Sequence, residues 1–137
     1  MNRREEREHL IKLLYLKDFH ESEELDEQIK LYFEILNENK CSEEEVEAVL
    51  NKYNRICEKL PEIDSVIAEA SIGWRINRIG KVELQCLRVA IYEIREEEDT
   101  PAKVSINEAV ELAKVYGGEN SYAFVNGILA KMVRKDG

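Results

Sequence analysis

Proline and glycine are scarce, two and six residues in a chain of 137. So few breakers, beside abundant Glu, Lys, Leu and Ile, point to a nearly all-helical protein. No apolar run approaches the roughly 20 residues needed to span a bilayer, which excludes a transmembrane helix. Positive charge near Met1 is followed by no uninterrupted apolar stretch, so the start of the chain is no secretion signal and a cytoplasmic location is expected. Three unevenly spaced cysteines, Cys41, Cys57 and Cys86, exclude a paired disulfide framework and read as free thiols, Cys86 as a small core residue. His9 and His20 have no cysteine or carboxylate at metal-ligand spacing, so neither a metal nor another cofactor is expected. No phosphate-binding glycine loop, G-x-S-x-G, H-E-x-x-H or dinucleotide fingerprint occurs, and catalysis is not expected.

What is present is amphipathic periodicity at helical spacing. Arg3 to Lys17 carries Leu10, Ile11, Leu13 and Leu14, and Glu24 to Leu36 carries Leu25, Ile29, Tyr32, Phe33 and Leu36. Ser42 and Glu45 form a capping box for a helix bearing Val46, Val49, Leu50, Tyr53, Ile56 and Leu60. Pro61 suits the first turn of a further helix with Ile63, Val66, Ile67 and Ala70. Trp74 to Gly80 interrupts the pattern, and Trp74 is read as the anchor of a connection, with base stacking as the alternative. Val82 to Ile94 resumes it with Val82, Cys86, Leu87, Ala90, Ile91 and Ile94.

The densest local signals run from Arg88 to Leu129. Thr100-Pro101 ends the preceding helix, and Ser105 with Glu108 forms a second capping box, so a helix is predicted from about Ile106 with Ala109, Val110, Ala113 and Tyr116 inward. Gly117-Gly118 supplies a left-handed stop, and Glu119-Asn120-Ser121 caps a last helix bearing Phe124, Val125, Ile128, Leu129 and Met132. The expected fold is all-α, a single compact domain over residues 1–137 of about seven helices in two packed sub-bundles, roughly 1–73 and 74–137.

The strings R-x-A-x-Y-E, K-V-x-I-N-E-A-x-E-L-A-K and Y-G-x-E-x-S-x-x-F-V-N-G-I-L, in this order over about a third of the chain, resemble the C-terminal half of the bacterial NusB transcription antitermination family. The resemblance implies a non-catalytic factor that pairs with the small-subunit ribosomal protein NusE and binds the boxA element of nascent ribosomal RNA. Other Nus factors and RNA polymerase are then reached through the complex. It assigns phosphate contacts to Arg3, Arg4 and Arg7, RNA-lining positions to Tyr15 and Phe124, an RNA-proximal position to Asn120, and a place on the NusE-facing side to Glu83. Tyr15 and Phe124 read equally as core-edge aromatics. The family often has an acid where Asn120 stands; a neutral amide repels phosphate less, and Asn120 can also cap the last helix. Whether the protein dimerises is left open. The module also resembles the N-terminal RNA-binding domain of ribosomal RNA cytosine methyltransferases, but 137 residues leave no room for their cofactor domain.

The net charge of -9 opposes RNA binding only as an average. Met1 to Lys17 has five basic residues against three acidic, and Ser71 to Arg95 five against two; Asp18 to Ala70 has sixteen acidic against five basic. Phosphate responds to charge within a screening length of about 8 Å, so the two basic regions count separately. Glutamates interrupt the N-terminal arginines, which sustains a second reading, a helical protein-interaction adaptor without direct RNA binding.

Overall fold

The computed structural model describes residues 1–38, 41–71, 79–117 and 120–136. Among them are six α-helices and no strand: α1 (Arg3–Phe19), α2 (Ser22–Glu38), α3 (Glu43–Ala70), α4 (Lys81–Glu96), α5 (Ala102–Gly117) and α6 (Ser121–Asp136). The fold is all-α. Trp74 and Gly118 lie outside the described residues.

Local side chains start several of these helices. The Asn2 side chain accepts from the Glu5 amide at 2.8 Å and caps α1. At α3 the Ser42–Glu45 capping box is complete: the Ser42 amide donates to Glu45 Oε1 and the Glu45 amide to Ser42 Oγ, both at 3.1 Å. Each bond satisfies an amide that the helix itself leaves open.

Three details differ from the sequence reading. Pro61 does not open a helix; it sits inside the 28-residue α3, so six helices stand among the described residues where about seven were expected. Its ring removes only the donor that would serve the Cys57 carbonyl, and Pro61 itself is exposed. Ile56, Leu60, Ile63 and Ile67 are buried on both sides of it, and that burial outweighs one missing bond. The helix predicted from Ile106 begins at Ala102, because the Pro101 carbonyl already accepts from Val104 and Ser105. Ser105 is therefore inside α5, 1% exposed, and donates to Glu93 Oε1 at 3.0 Å. Tyr116 points outward at 41% exposure, and Leu112 and Ala113 are the buried residues of that turn.

The chain divides into two compact units, Met1–Cys57 and Glu58–Gly137. In the first, α1 packs on α2, and Leu10, Leu13, Leu14, Val49 and Ile56 are almost wholly buried. Lys52 of α3, 4% exposed, donates to Glu6 of α1 at 3.1 Å. In the second, α4, α5 and α6 all contact one another. Its core includes Leu84, Leu87, Ile91, Ala113, Val125 and Leu129. Arg88 of α4 holds Asp64 of α3 with two bonds, at 2.9 and 2.8 Å, and Gln85 at 3.1 Å.

Candidate nucleic-acid interface

The Asn2 cap fixes where α1 begins, and so where its arginines stand. Arg3 and Arg4 are exposed in the first turn, while Arg7, one turn on, is only 5% exposed. Glu6, one of the acids interrupting them, is engaged by Lys52, and Glu45 is engaged by the Met1 amino group. That pairing raises the pKa of the amino group and lowers that of Glu45. Two carboxylates near the arginines are thus matched by cations inside the same unit. Later in α1, Tyr15 is 41% exposed and its ring lies against Phe19, centroids 4.7 Å apart. Phe19, 53% exposed, was missed by the sequence reading, although its i, i+4 spacing from Tyr15 was visible.

His9, half-buried in the same unit, meets the Tyr32 hydroxyl through Nδ1 at 2.5 Å. Burial first, and then nearby Lys12, lower its pKa. Its imidazole is therefore neutral near pH 7. Burial also raises the Tyr53 hydroxyl in pKa and pushes the Cys86 thiol to about 12, so neither ionises at neutral pH.

In the second unit, Asn120 is exposed in the turn before α6. The single hydroxyl proton of Ser121 faces two acceptors, the Gly117 carbonyl 2.5 Å from Oγ and the Glu83 carboxylate. Glu83 fits there because two glycines make room. A Cβ on Gly80 would stand 1.7 Å from Glu83 Oε2, and one on Gly117 would stand 2.6 Å from Ser121 Oγ and 3.1 Å from Glu83 Oε1. Gly117 is still helical, so close approach, and not the left-handed backbone expected there, is what calls for glycine.

Phe124 is partly buried and lines an open pocket of about 220 Å³ with Ala70, Ser71, Gly127, Ile128 and Lys131. Lys131 donates to the Ala70 carbonyl at 3.3 Å, placing a cation on the last turn of α3. Sequence reading found Phe124 but not Lys131 or the end of α3, which lie near it only through folding. Among the described residues, no group of three or more His, Cys, Asp or Glu side chains is placed to hold a metal ion. No described helix is long and apolar enough to cross a membrane.

Residues 4–134 match the model of the NusB family. A protein of Lachnoclostridium phytofermentans named transcription antitermination protein NusB is 51% identical over 97% of this chain and 99% of its own length. One of the same name from Agathobacter rectalis is 47% identical over 96% and 98%. Among solved structures, T. maritima NusB superposes with a TM-score of 0.84 at 36% identity, covering 98% of this chain and 92% of that one. A chain from the crystal structure of a plectonemic RNA supercoil has a TM-score of 0.81 at 26% identity, covering 98% and 95%.

Proposed function

The chain belongs to the NusB family, and from that membership we propose that it is a non-catalytic transcription antitermination factor. In this reading it pairs with ribosomal protein NusE, binds the boxA element of nascent ribosomal RNA, and helps RNA polymerase, with other Nus factors, to read through terminators. The observation that carries the role is identity of up to 51% over nearly the whole length of proteins named for it.

Chemistry within each unit supports the RNA contact. Exposed Arg3 and Arg4 supply guanidinium groups for phosphate. Arg7, one turn on and only 5% exposed, has less of its guanidinium open to phosphate than they do. The Tyr15–Phe19 pair offers ring surface to unstacked bases, and single-stranded RNA is commonly held in this way. At the start of α6, Asn120 puts a neutral amide beside open backbone N–H groups, which favours phosphate more than a carboxylate would. Phe124 supplies a further apolar surface at its pocket. Glu83 serves the NusE-facing side by holding Ser121 and the first turn of α6 in place.

The test is a fluorescence-anisotropy titration with boxA-like single-stranded RNA, with and without NusE, across salt concentrations. Arg3→Ala and Arg4→Ala each free one phosphate, so each should lower the slope of log affinity against log salt by about 0.7. Asn120→Asp should weaken binding. Affinity that ignores both salt and the arginine substitutions overturns the RNA contact and favours an adaptor that acts through protein alone.

A further inference from the structure

Helix α2 has apolar residues on two sides. Leu25, Ile29, Tyr32, Phe33 and Leu36 form its inward stripe, and Leu36 is 3% exposed. Leu31 and Ile35 stand elsewhere, 51% and 55% exposed. With about 100° per residue, these two lie roughly 120° round the helix from that stripe. They are one turn apart, so they form a single apolar spot, with Gln28 continuing the row toward the N-terminus.

Two exposed acids, Glu27 and Glu34, border this spot along one edge. They are seven residues apart, and Glu27 lies four before Leu31, so both reach the same side of the row. The whole helix carries six acidic residues and one basic residue, Lys30. That charge repels RNA phosphate and anionic lipid alike. It also repels the same face of a second copy, which a two-fold contact would place opposite it. What complements it is an amphipathic helix with apolar residues one turn apart and Lys or Arg beside them.

We propose that the Leu31–Ile35 face of α2 docks a basic amphipathic helix of a partner protein. The apolar pair supplies the anchor, and the Glu27–Glu34 edge sets register and speeds the encounter. This surface is independent of Arg3, Arg4 and the α6 start, so it adds a contact with the assembly to the RNA reading and does not rest on it.

The test uses the full chain and two fluorescein-labelled helical peptides about five turns long. Both have the same leucine stripe, and their polar face is Lys/Arg in one and Glu in the other. The basic peptide should bind, more weakly as salt rises, and the acidic one should not. Leu31→Ser with Ile35→Ser should weaken binding tenfold or more, while Glu27→Gln with Glu34→Gln should weaken it severalfold and flatten the salt dependence. Amide chemical-shift changes in the unmodified protein should centre on residues 27–35, so the answer does not depend on any variant folding. Equal binding of both peptides, unchanged affinity in the Leu31/Ile35 variant, or shifts centred elsewhere overturns the proposal. So does concentration-dependent self-association that disappears on Leu31→Ser/Ile35→Ser, because a second copy would then be the occupant. RNA affinity should be the same in both α2 double variants, so failure here and failure of the RNA reading are separate results.

Discussion

Helices α2 and α4 are nearly equal in length, 17 and 16 residues, yet their surroundings are opposite. In α4 ten consecutive residues, Leu84 to Glu93, are buried, including Gln85, Arg88 and Glu93. Among the described side chains of α2, only Leu36 is. A helix enclosed on all sides must carry its polar groups inside, and those of α4 are bonded there: Arg88 to Asp64 and Gln85, Glu93 to Ser105. Among the described residues, no buried side-chain nitrogen or oxygen lacks a hydrogen-bond partner. Helix α2 leaves its charges in water and has apolar surface to spare. One helix is a structural axis, and the other has a face available for contact.

That contrast can be broken most sharply by matched truncations. Leu87→Ala in α4 should cost about 2–5 kcal/mol in urea unfolding, whereas Leu31→Ala in α2 should stay within about 0.5 kcal/mol. Similar costs at both sites would remove the distinction. Next in size is Arg88→Ala, which strands the Asp64 carboxylate and should cost about 3 kcal/mol. Arg88→Lys should recover only part of it, since an ammonium cannot reproduce the two-pronged bond.

Gly80→Ala, at the start of α4, should cost about 1 kcal/mol by pushing the Glu83 carboxylate off Ser121. Combined with Ser121→Ala, the loss should fall short of the sum of the two, because both remove the same bond. Additive losses would show that Glu83 does not link these elements.

The smallest effect concerns Tyr32, which ties α2 to His9. Burial lowers the folded-state pKa of His9, so the folded chain binds fewer protons than the unfolded one between that pKa and the ordinary value near 6.5. Stability should therefore fall as pH drops through 6.5 toward the lowered value, and thermal melts should show it. His9→Asn should flatten this part of the pH profile.

Much of the fold was legible because its signals are local. The Ser42–Glu45 box, the apolar spacing of α1 and the buried Cys86 need only neighbours within a turn or two. Ser105 was misread because its hydroxyl has two competing uses, a helix cap and a bond to Glu93 twelve residues earlier. Pro61 was misread because the local penalty is visible in sequence and the burial around it is not. At the candidate site, Arg3 and Arg4 could be read as exposed charges. The burial of Arg7 could not, since it shares the charge and spacing that marked the other two.

By itself the sequence determined the all-α class, most helix positions and the segregation of acidic charge, because these follow from backbone preference and side-chain period. Only tertiary structure decided which polar residues are enclosed, since each needs a partner distant in sequence, as Arg88 needs Asp64. It also decided that Leu31 and Ile35 stay exposed, because an apolar residue is buried only where another element comes to cover it.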